Sequence, residues 1–146
     1  MADWQDVRAH IAGVLEGIEI SEPVDARIEH VQQHPPAKID SYPCFVILPA
    51  QSIKVDVLSG WRTETREVAC RYIGATGDDI ALAGEIAEAF REAAIAAFDE
   101  HNGLGGTGSL LERRAEDFGV TQYGGRSVVY WDLILVARYE TAAPQS

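Results

Sequence analysis

The chain has 146 residues, with 23 acidic and 12 basic side chains, a formal net charge of −11 and a pI near 4.6. Such a surface repels phosphate, which argues against wrapping nucleic acid through counterion release and against binding an anionic membrane surface. It leaves open an acidic wall past which DNA slides without sticking. At this length one domain buries a core without disulfides or a structural metal. The 47% hydrophobic and 24% charged content is that of a folded protein.

The first element is a helix from about Asp3 to Gly17. Trp4, Val7, Ile11, Val14, Leu15 and Ile18 recur at three- and four-residue steps and form one apolar stripe. Asp3 is the expected N-cap and Gly17 the expected stop, with Arg8, His10 and Glu16 toward water. Residues 19–42 are irregular, with a short strand near Arg27 to Gln32. Pro35 and Pro36 block helix and central strand alike, so this stretch is expected to run extended along the surface.

Pro43 to Leu48 is continuously apolar and reads as a strand covered on both faces. Ile53, Val55 and Val57 alternate with Lys54 and Asp56, the pattern of a half-buried strand, and the two strands are expected to form a hairpin. Thr63 to Ile73 is a further strand. Asp78 or Asp79 then caps a long helix reaching about His101, with Leu82, Ile86, Phe90, Ala93 and Ala97 as its stripe, widened by Ala83, Ala87, Ala94 and Phe98. Gly103 to Gly108 forms a loop. Ser109 to Asp117 and Ser127 to Tyr139 are the arms of a β-hairpin, joined through turns at 119–125. In the second arm Val129, Trp131, Leu133, Leu135, Ala137 and Tyr139 face the core. Val128, Tyr130, Ile134 and Val136 mix with Asp132 and Arg138 on a face expected to be partly covered, as by a neighbouring copy. Thr141 to Ser146 is expected to fray. The order helix, strands, helix, strands predicts one α+β domain: a mixed or antiparallel sheet with the N-terminal helix and a second long helix packed on it.

No candidate chemistry survives its context. Gly103-Leu104-Gly105-Gly106-Thr107-Gly108 matches G-x-G-x-x-G, but it follows a helix and precedes a strand, the reverse of a dinucleotide site. A flexible connector, or a loop that orders on assembly, explains it better. His30 and His34 have the spacing of helical metal ligands, yet Pro35 and Pro36 follow at once and no third ligand is spaced to help. His101 suits a helix C-terminus. No G-x-S-x-G nucleophile elbow occurs. Cys44 and Cys70 lie in apolar runs and read as buried free thiols of a reducing compartment, though a disulfide between neighbouring strands stays open. Asp78-Asp79 reads as a helix cap and Glu116-Asp117 as a solvated turn. No catalytic residue, metal or cofactor is therefore assigned. The start is acidic and amphipathic, with no basic-plus-apolar leader, and no apolar run approaches the ~20 residues of a membrane span, so cytosolic synthesis is expected. Trp61, Arg62, Tyr123 and Arg126 place aromatics and arginines in expected loops. These residue types are enriched at interface hot spots, with ordinary loop anchoring as the rival.

Three stretches carry a family resemblance. They are His34-Pro35-Pro36-Ala37-Lys38-Ile39-Asp40-Ser41-Tyr42-Pro43 leading into Cys44 to Pro49; Glu67 to Ile73 followed by the alanine-rich helix; and Tyr123-Gly124-Gly125-Arg126 entering a long aromatic-aliphatic strand. Together with the order of elements, they resemble the tail terminator, or tail-completion, proteins of long-tailed phages. The resemblance covers most of the chain and implies a mechanical role without catalysis or cofactor. A hexameric ring of copies would form on the finished tail tube, stop its growth and present a surface to the head connector. DNA would pass through the lumen as non-specific cargo. It implies a virion location after assembly in the host cytoplasm; in such a ring the residue types of Trp61, Arg62, Tyr123 and Arg126 make them the expected anchors of contacts between subunits. The alternatives are another phage neck or head-completion component, which differs in its neighbour, and a small ligand-binding or enzymatic α+β domain, which would need a pocket with convergent polar groups.

Overall fold

The computed structural model describes residues 3–34, 39, 41–58, 60–123 and 125–142. Helix α1 spans Trp4–Glu16. Its first turn is closed by a reciprocal cap: the Asp6 amide donates to Asp3 Oδ1 at 2.9 Å, and the Asp3 amide donates to Asp6 Oδ2 at 3.1 Å. Strands β1 (Glu19–Ile20) and β2 (Ala26–Arg27) pair with each other. Then follow β3 (His30–Gln32), β4 (Cys44–Ile47), β5 (Gln51–Leu58), β6 (Trp61–Ala75), helix α2 (Ile80–Glu100), a 3-10 turn (Leu104–Gly106), β7 (Ser109–Ala115), β8 (Gly119–Tyr123) and β9 (Arg126–Ala142). The fold is α+β, as the order of elements predicts.

Two long strands form the frame. β6 and β9 pair antiparallel from Trp61 opposite Ala142 to Ala75 opposite Val128. β4 and β5 both line the free flank of β6, and β7 and β8 both line the free flank of β9. β3 adds in parallel to β4, which makes the sheet mixed. The expected hairpin between the strands at 43–48 and 53–57 is thus corrected: they succeed each other along one edge of β6. Residues 119–123, expected as turns, form a strand. β9 runs to Ala142, two residues into the stretch expected to fray, while 143–146 lie outside the described residues, as do Pro35 and Pro36.

Both helices share one core with the sheet. Val7, Ile11 and Leu15 of α1 and Ala83, Ala87, Phe90, Ala94 and Phe98 of α2 meet Phe45, Val68, Cys70, Tyr72 and the core face of β9 from Val129 to Tyr139. Burying side chains the size of Leu15 or Phe90 stabilises by about 1.5–3 kcal/mol each. At the centre Tyr72 stacks on Trp131 with centroids 5.4 Å apart, and Phe45 meets both rings edge-on. The Trp131 indole donates to the Ala87 carbonyl at 3.0 Å, fixing α2 to β9. Alanine on this side of α2 permits the close approach. Gly74 completes the packing, because a Cβ there would lie 2.8 Å from the Tyr72 hydroxyl.

The other face of the sheet carries no helix among the described residues. A small cluster of Cys44, Val46, Ile73 and Val128 is covered by Ile39, Tyr42, Leu48 and Tyr130. Cys44 and Cys70 are both buried and free, and they belong to clusters on opposite faces, which rules out a disulfide between them. Burial raises the Cys44 thiol to about 12 and raises that of Cys70 further, so neither is a ready nucleophile.

Candidate functional site

The alternating sequence Ile53-Lys54-Val55-Asp56-Val57 forms a strand, bulged at Ile53, that nothing among the described residues covers. All of β5 is exposed, where a half-buried strand was expected. Together with the start of β6 and the end of β9 it forms a three-stranded arm. Ile53, Val57, Leu58 and Trp61 are 50–77% exposed. Scattered apolar residues are normal on a surface, and these four are gathered on one arm.

A polar plug separates the arm from the core on the helix side. Glu64 is only 4% exposed. Arg66 Nε donates to Glu64 Oε1 at 2.6 Å and to Tyr139 Oη at 3.1 Å, and the Arg62 guanidinium lies 3.7 Å from Glu64 Oε2. Arg66 also sits over the Trp4 ring, 5.5 Å from its centroid. Two arginines thus compensate one buried carboxylate. Desolvation, offset in part by the Arg66 charge, raises the Tyr139 phenol.

On the helix-free face the arm is a trough of about 770 Å³. Thr63, Thr65, Arg138 and Glu140 form its floor, and Ile53, Leu58, Trp61 and Leu111 are among its apolar walls. Further along this face the ladder is cross-linked by charge. Arg71 makes two hydrogen bonds to Asp132, at 2.8 and 3.0 Å, and lies over the Tyr130 ring. Arg114 bridges Glu112 and Glu67 beside Ile134 and Val136, which are only 9% and 8% exposed. Coverage expected from a neighbour is therefore largely supplied by the chain's own long side chains.

Charge is divided between the two layers. Residues 3–29 and 78–101, which hold both helices and the β1–β2 pair, contain 14 acidic and 3 basic residues, a net −11 equal to that of the whole chain. The sheet strands and their loops are balanced, with 9 of each sign. The acidic layer faces away from the trough.

The four predicted contact residues fall into two groups. Trp61 and Arg62 open β6, and Tyr123 and Arg126 close the β8–β9 hairpin opposite each other. The groups lie at opposite ends of β9, roughly 50 Å apart at strand rise. Trp61 is half exposed. Arg62 is engaged with Glu64, and Arg126 lies 5.5 Å over the Tyr42 ring, so each has a partner within the chain. Tyr123 is described through its backbone alone. Sequence reasoning missed Ile53, Val57, Leu58 and Leu111, since an alternating strand reads as half-buried whether or not a layer covers it.

His30 lies in β3, with Nδ1 2.7 Å from Ser41 Oγ, and no group of three metal-ligating side chains occurs among the described residues. The glycine loop is packed, contrary to the flexible connector expected: Leu104 is fully buried, and Thr107 Oγ1 donates to its carbonyl at 2.6 Å. His10 was expected toward water, but it packs against Gly105 and lies edge-on to His101. Beside this pair, small residues of both helices line a shallow groove of about 670 Å³. Asp79 caps α2 as expected, accepting from the Leu82 amide at 3.0 Å. No helix among the described residues is long and apolar enough to cross a membrane. No known family model matches the chain, and no curated protein matches it.

Proposed function

We propose that the chain is a structural assembly protein, a tail terminator of a long-tailed phage. It closes as a ring on the head-proximal end of the tail tube, stops tube growth and joins the tail to the head connector. The observation that carries this reading is the exposed apolar arm on a charge-balanced sheet, set against a layer holding the entire net charge of −11. Copies meet through the sheet and arm without net repulsion. The acidic layer is left for solvent or for a lumen through which DNA slides without sticking. The order of elements supplies the link to the tail terminator family.

A closed ring needs head-to-tail contacts, in which one patch of a copy meets a different patch of the next. The two ends of β9 supply two such patches, Trp61 with the arm at one and Tyr123 with Arg126 at the other. No bond is made or broken. The test is growth of purified tail tubes followed by light scattering. Substoichiometric addition of the chain is expected to halt elongation and leave nucleation unchanged. Elongation at an unchanged rate would reject the reading.

A further inference from the structure

The outer edge of β5 invites a partner, and its side chains say which. Among the described residues no strand lies on that flank, so its backbone donors and acceptors are unpaired. Natural edge strands are commonly protected by a lone lysine, which blocks pairing with another copy. Here Lys54 is followed two residues later by Asp56, on the same face and 3.6 Å away. Around Val55 the sequence is self-complementary: apolar, cationic, apolar, anionic, apolar.

We infer that β5 pairs antiparallel with β5 of a second copy about a two-fold axis through Val55, joining the two sheets into one. In this register Lys54 stands opposite Asp56 of the second copy, and Asp56 opposite its Lys54. Val55 faces Val55, and the bulge at Ile53 bounds the regular ladder beyond Lys54. The backbone agrees. Leu58 and Trp61 close the β5–β6 hairpin. Hydrogen-bonded and non-bonded pairs alternate from such a closing pair, so Val55 and Val57 turn their N–H and C=O groups outward. A two-fold pairing centred on Val55 sets outward groups against outward groups. It also sends the two bodies to opposite ends of the shared ladder, so the helical layers do not meet. A strongly acidic or strongly basic partner gains nothing from this edge, whereas a second copy satisfies both charges at once. The contact closes on two copies, so it differs from the head-to-tail contacts of a ring and stands without the ring reading.

The test is sedimentation equilibrium of the purified chain alone, with circular dichroism to verify folding. Lys54 and Asp56 side chains are 68% and 62% exposed, so their variants fold. The wild type is expected to form a dimer. Lys54→Asp and Asp56→Lys each set like charges opposite one another and should weaken it about tenfold or more. The double variant Lys54→Asp/Asp56→Lys restores the pattern in reverse and should recover wild-type association. An equimolar mixture of the two single variants should form a heterodimer, because each supplies what the other lacks. A monomeric wild type, single variants that associate as well as it does, or a double variant and mixture that stay monomeric would each overturn the inference. A partner strand such as β7 of another copy would give that last result. Halted tube growth tests the ring separately.

Discussion

At the scale of single residues, the buried polar groups separate what folds the chain from what it presents. Glu64 has no solvent to fall back on and is held by Arg66 and Arg62. Glu64→Ala leaves Arg66 without its carboxylate, and chemical denaturation is expected to show a loss of about 2–4 kcal/mol. Cys44 ionises at 9.0 when exposed and at about 12 in the fold. The protonated thiol is the form the fold favours, so its contribution is complete below pH 9 and declines as pH rises toward 12. Cys70 and Tyr72, both raised by burial, act in the same direction. Urea midpoints should therefore fall steeply above pH 9 and change little from pH 7 to 9. Thiol alkylation should be negligible until the chain is unfolded; rapid native labelling of either cysteine would contradict their placement.

At the scale of elements, legibility follows how local the information is. The Asp3 and Asp79 caps, the α1 stripe and the core face of β9 from Val129 to Tyr139 are written in spacing, and the fold keeps them. The α2 stripe was centred a little off: Phe90 and the alanines at 83, 87 and 94 are buried, while Leu82 and Ile86 are half-buried. What spacing does not carry is pairing. β4 and β5 look like a hairpin, but β6 is long enough to hold both along one flank, and a chain-length match of that kind has no local signature. Coverage is equally non-local. Residues 53–57 alternate just as a core strand does, and only the tertiary fold leaves them bare. The candidate site was half legible for this reason: Trp61 stood out as an aromatic beside an arginine, but the aliphatic arm around it did not. Because Leu58 and Trp61 are 77% and 50% exposed, Leu58→Lys should alter stability by no more than about 0.5 kcal/mol and Trp61→Ala by about 1 kcal/mol. The same changes should abolish the chain's ability to halt tube growth. A large loss of stability in either variant would mean that the arm belongs to the core.

At the scale of the whole molecule, the division of charge sets how copies can meet. Helix-on-helix contact would bring two acidic layers together, each carrying the full −11 of its chain. At low ionic strength this repulsion acts over a Debye length of roughly 30 Å, against about 8 Å at physiological salt. Assembly through the balanced sheet should be nearly independent of salt, whereas assembly through the helical layer would appear only at high salt. The most direct measurement is electron microscopy of tail tubes assembled with the chain present. The account predicts a ring of density with an open lumen on one end of each tube, lost with Leu58→Lys. Bare tube ends, or density scattered along the tube wall, would contradict it.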